Sequence, residues 1–185
     1  AFLLTLILSA NGVNAIFNAF KHSIYVKGNR KFFRQYLLSV GVAVLIAIIM
    51  LTSVGIILYG EYIIQDFKAY DIISNEVLYI SILQFLIFAL MIFLIISILY
   101  YYGFRKNPAR KFLSIGAAVT TLLFLVMTYL FRIYINNFSN YNELYGSIGA
   151  LLILMLYIWI NANLLLFGFE LEASIRKMKE NYRTN

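Results

Sequence analysis

Cysteine is absent from the 185 residues, so neither a disulfide framework nor a thiolate metal site is available. His22 is the single histidine, which excludes a histidine-based metal cluster. Proline occurs once, as Pro108, between two hydrophobic runs. Charge is scarce as well: 12% of residues are charged, about half the share usual in soluble domains. The sequence contains no Walker loop, no GxSxG elbow and no HExxH. No cofactor, no metal and no enzymatic activity are therefore expected.

What is abundant is apolar surface, at 63% of residues with a mean hydropathy of +0.85. A soluble fold of this size could not bury that much, so lipid must be part of its solvent. Five apolar runs, 1–20, 37–60, 77–102, 112–135 and 147–169, are each near or above the roughly 20 residues that a spanning helix needs. The expected fold is all-α, a polytopic transmembrane bundle forming one domain over residues 1–185. The chain opens on Ala1 with no basic leader region, so the expectation is a truncated sequence lacking an upstream span. A sixth helix would place both ends in the cytoplasm.

The charges sort by loop. Lys21, Lys27, Arg30, Lys31 and Arg34 separate the first two runs; Arg105, Lys106, Arg110 and Lys111 separate the third and fourth; Arg176, Lys177, Lys179 and Arg183 follow the last. Thus 13 of 15 basic residues fall on one side, which the positive-inside rule assigns to the cytoplasm. The other side receives Lys68 and Arg132, with Glu61, Asp66, Asp71, Glu76 and Glu143, acids that show no metal-ligand spacing. The formal charge of +7 follows from this topology and calls for no nucleic-acid partner. Lys27, Arg30, Lys31 and Arg34 interleave with aromatics and suit contact with anionic lipid, where each cation contributes about 1 kcal/mol. Membrane lipids are the expected partners; a homo-oligomer or an envelope-protein partner is compatible with the chain.

Polar positions interrupt the apolar runs in stripes. Asn11, Asn14, Asn18, His22 and Tyr25 share an arc of the first helix. Amides in hydrocarbon are costly unless hydrogen-bonded, so the stripe is either helix–helix glue or the lining of a polar cavity. The fourth run carries Ser114, Ala117, Thr121, Leu125, Thr128 and Arg132 on one face, with Arg132 either snorkelling or pointing inward as a cation for an anionic substrate or for Glu143. The third run reads as largely lipid-facing. In the last, Gly146, Gly149, Tyr157, Asn161, Gly168 and Glu172 lie on one side, and Trp159, Asn163 and Glu170 nearly opposite. Polar positions on two faces suggest a central helix surrounded by others. Glu172 and Arg176 have the spacing of a surface ion pair, while Glu170 is either solvated by headgroups or a proton site.

Two blocks, NGVNAIFNAFKHSIYVKGNRKFFRQYLLS and LYGSIGALLILMLYIWINANLLLFGFELEA, resemble the YihY/BrkB family of bacterial integral membrane proteins. The matching positions of the second block are Tyr145, Gly146, Gly149, Trp159, Gly168, Glu170, Leu171 and Ala173; Phe169 and Glu172 depart from the family pattern. The resemblance implies a six-helix inner-membrane protein. An old ribonuclease label in the family finds neither a metal cluster nor an acid–base pair among these residues. The leading expectation is a translocator of an amphiphilic or anionic substrate, with an envelope lipid among the candidates. Asn11, Asn14, Asn18, His22, Thr121, Thr128, Asn161 and Asn163 would line its pathway, Arg132 would contact an anionic group and Glu170 would serve as a gate. A non-transporting scaffold is the alternative, and a membrane ribonuclease a distant third.

Overall fold

A computed structural model of the chain describes residues 2–23, 32–68, 76–104, 113–137 and 141–184. They form five helices: α1 (Phe2–Lys21), α2 (Phe32–Lys68), α3 (Glu76–Gly103), α4 (Ile115–Asn137) and α5 (Tyr141–Thr184). No strand occurs among the described residues. Each helix contains a stretch long and apolar enough to cross a membrane. In hydrocarbon a backbone must satisfy its own hydrogen bonds, and long runs free of proline and charge do so as helix. α5 extends well beyond the apolar run that seeds it. Its 44 residues reach about 66 Å, twice the hydrocarbon thickness. No proline or glycine follows Gly168 to stop it.

Consecutive helices pack side by side, and α1 also touches α3 and α5. The core joins Phe17 and Phe20 of α1 to Tyr100 of α3, Ala117 of α4 and Phe169 and Ala173 of α5, with Phe104 just past α3. The end of α1, the end of α3 and the start of α4 therefore meet the 165–176 stretch of α5. These are the helix ends that flank the basic segments 22–31 and 105–112. Other parts of the protein bury only 11–22% of each spanning stretch, so most of each helix faces outward. Leu51, Leu58, Phe85, Leu86 and Leu152 are exposed there, a surface suited to lipid.

Two expectations change. α3 is mostly outward-facing over residues 81–90; Ile96–Tyr100 is continuously buried, with Tyr100 packed against Phe20 of α1, Thr120 of α4 and Phe169 of α5. α5 is surrounded only in part: its 165–173 stretch packs among α1, α3 and α4, while Trp159, Asn163 and Glu170 on its other face are exposed. The Asn163 amide donates to the carbonyl of Trp159 at 2.7 Å, one turn back, so that face needs no neighbouring helix to satisfy its donor.

Candidate functional site

The densest chemistry lies where α4 begins. Ser114 caps the helix: its hydroxyl accepts from the Ala117 N–H at 3.0 Å. The next free amide, Gly116 N–H, donates to Glu172 Oε2 at 2.8 Å. Glu172 Oε1 accepts from Arg176 Nε at 2.6 Å. Glu172 is 5% exposed. The pair expected at the membrane surface is thus buried, and its carboxylate sits at the positive end of the α4 dipole. Such closeness requires glycine. A Cβ on Gly116 would lie 2.5 Å from that of Glu172 and 2.9 Å from the Gly168 carbonyl. One on Gly168 would collide with the Thr120 hydroxyl.

Beneath this clamp, two hydroxyl protons serve three contacts. Tyr100 Oη lies 2.8 Å from the Leu165 carbonyl and 2.8 Å from Thr120 Oγ1, and Thr120 Oγ1 lies 2.7 Å from the Gly116 carbonyl. Around them aromatic rings close the space between α1, α3 and α5. Phe20 stacks on Phe169 with centroids 3.9 Å apart, Phe104 stacks on Phe169 from 4.5 Å, and Tyr100 meets both Phe20 and Phe169 edge-on. The Arg176 guanidinium covers Phe104 at 4.3 Å, a cation–π contact that tops the plug.

A second polar group ties α1 to α2. Gln35 is 2% exposed, and its amide nitrogen donates to Asn14 Oδ1 at 2.7 Å and Asn18 Oδ1 at 2.8 Å. Lys21 also donates to Asn18 Oδ1, at 2.9 Å. Toward the opposite end, Thr128, Phe131, Arg132, Ile135 and Asn136 of α4 form a cleft of about 250 Å³ with Tyr157 of α5. Thr128 Oγ1 and Tyr157 Oη, both in its lining, are 3.0 Å apart.

The expected lining residues do not form one wall. Asn14 and Asn18 belong to the α1–α2 group; Thr128 and Arg132 line the cleft. Thr121 is buried and donates to the Ala117 carbonyl at 2.8 Å. Asn161 is buried, donates to the Tyr157 carbonyl at 2.8 Å, and its Oδ1 has no partner. Asn11, His22, Asn163 and Glu170 are exposed on the outside of the bundle, as is Arg34. Lys27, Arg30 and Lys31, like Tyr25, lie outside the described residues. The carboxylate with buried partners is Glu172 rather than Glu170. Gln35, Tyr100 and Thr120 also escape a reading of the helix stripes. Gln35 has a local signal, being a lone amide at the mouth of an apolar run; the Tyr100–Leu165 bond, 65 residues apart, has none. Among the described residues no group of three or more His, Cys, Asp or Glu side chains gathers.

Over 175 residues the chain is 27% identical to the ribonuclease-like protein YfkH of Bacillus subtilis, covering 93% of this chain and 63% of YfkH. It is 30% identical over 85 residues to a UPF0761 membrane protein of Alteromonas mediterranea, covering 46% of this chain and 29% of that protein. A UPF0761 membrane protein of Psychromonas ingrahamii is 27% identical over 81 residues, 44% of this chain and 28% of that one. The chain thus spans less than two thirds of the length of these relatives. No solved structure matches it. The bundle that holds the Glu172 clamp and the ring plug lies wholly within a family match covering residues 1–185, and this membrane protein belongs to the Virulence factor BrkB family.

Proposed function

We propose that this chain forms the membrane part of a translocator for an amphiphilic or anionic substrate in the bacterial inner membrane. Its basic connections and C-terminus face the cytoplasm, in keeping with the positive-inside rule. It moves its substrate without covalent chemistry and without a cofactor, with membrane lipids as its partners. The observation that supports this is the asymmetry of the packing. The basic end is shut by stacked rings and the Glu172 clamp, whereas the opposite end holds a cleft with a cation on its wall. Tight packing near one end and an exposed cation beside a cleft near the other is the asymmetry expected of one state of an alternating-access cycle.

Reconstitution into liposomes tests the reading. Fluorescent anionic phospholipids and small anions are supplied in turn, and flux above that of protein-free vesicles is expected for at least one class. A folded preparation that moves none of them would overturn the proposal. The scaffold reading draws on a different observation, the satisfaction of Asn14 and Asn18 by Gln35 within the fold. Asn14→Ala and Asn18→Ala separate the two. Lost stability alone favours the scaffold; lost flux in a stable protein favours the pathway. Ribonuclease activity reaches this chain through the family's old label and the name of YfkH, and RNA cleavage that vanished on changing His22 would bring it forward.

A further inference from the structure

The cleft at the end of α4 combines features that define a ligand. Its cation, Arg132, is exposed and forms no ion pair with any described residue. Thr128, Ile135 and Asn136 stand four residues before and three and four after it, on the same helix face, and Phe131 joins them in a largely apolar lining around the guanidinium. Its depth is informative. Arg132 stands four residues before the end of the Ile115–Asn136 span, roughly 6 Å along the axis. For a span centred on the bilayer this puts its backbone about 5 Å inside the hydrocarbon boundary, within reach of the headgroups for a long side chain that snorkels outward. At about 250 Å³ the cleft falls below the roughly 300–1,000 Å³ of pockets that enclose a drug-sized molecule. It admits a headgroup and leaves acyl chains outside, where Val126, Tyr129, Leu130 and Ile133 offer exposed apolar surface on α4.

We propose that this cleft binds the phosphate-bearing headgroup of an anionic lipid, in the leaflet opposite the basic connections. Arg132 binds the phosphate oxygens, while Asn136 and the Thr128–Tyr157 pair supply neutral hydrogen bonds to the rest of the headgroup. A guanidinium suits this task because its planar donors match two phosphate oxygens at once. The inference rests on the translocator reading for its biological sense, but the site can be tested by binding alone.

The experiment is native mass spectrometry of the detergent-purified chain incubated with phosphatidylglycerol, phosphatidylcholine or inorganic phosphate. The wild type should retain phosphatidylglycerol over phosphatidylcholine. Arg132→Gln should lower that retention about tenfold, and Arg132→Lys by less, since it keeps the charge and loses the fork. Asn136→Leu, a second change on the same wall, should weaken retention without altering thermal unfolding. Equal retention by wild type and Arg132→Gln would overturn the site, as would displacement of the lipid by millimolar phosphate, which would mark a soluble anion as the occupant. Binding that depends on Arg132 in a protein showing no flux would sink translocation and leave the site. Flux with lipid retention indifferent to Arg132 would do the reverse.

Discussion

Replacing Glu172 by glutamine separates the charge of this carboxylate from its shape. The amide can still accept the Gly116 N–H, now 2.8 Å from Oε2, but it no longer balances Arg176. Both partners are secluded, with side chains 6% and 11% exposed, so water screens the pair weakly. Leaving one member of a buried pair uncompensated costs about 3–5 kcal/mol. Glu172→Ala should approach that figure, because the α4 amide loses its acceptor as well. Glu172→Gln should fall near half of it. Glu170→Gln should change stability by less than about 0.5 kcal/mol, since Glu170 is exposed. For a chain of this size each kcal/mol moves Tm by about 2–4 °C, so thermal unfolding in detergent followed by circular dichroism resolves all three. A double-mutant cycle with Arg176→Gln isolates the coupling. If Glu172→Gln unfolded with the wild type while Glu170→Gln fell by several degrees, the clamp would be misassigned and the argument built on it wrong.

Gly168→Ala should destabilise by about 1–3 kcal/mol, because the added methyl meets the Thr120 hydroxyl and Tyr100 Oη; Thr120→Ala should recover part of the loss, read by the same unfolding assay. Gln35→Leu removes two interhelical bonds and should cost about 1 kcal/mol at the roughly 0.6 kcal/mol per bond measured in membranes, whereas Arg34→Gln, on an exposed side chain, should be silent. Since the chain has no cysteine, Lys27→Cys and Lys106→Cys can be labelled singly in intact cells; both should react from the cytoplasmic side, and labelling from opposite sides would break the topology.

The number of helices and their membrane character were legible in the residues alone. Hydrocarbon leaves a backbone little choice, so a run of about 20 apolar residues already states its own conformation. The Glu172–Arg176 pair was legible too, because i,i+4 neighbours on a helix meet whatever the surroundings. Its burial was not. That depends on two glycines 52 positions apart, Gly116 and Gly168, letting α4 and α5 approach until the carboxylate reaches a backbone amide. The same reason hid Tyr100, which looks like an interfacial aromatic at the end of α3 until its hydroxyl is seen bonded to the Leu165 carbonyl. Helical stripes report which residues share a face, and so they grouped Thr128 with Arg132 correctly. They carry no record of which faces come together across the bundle, nor of which amides close on their own turn, and those two matters were decided only when the helices packed.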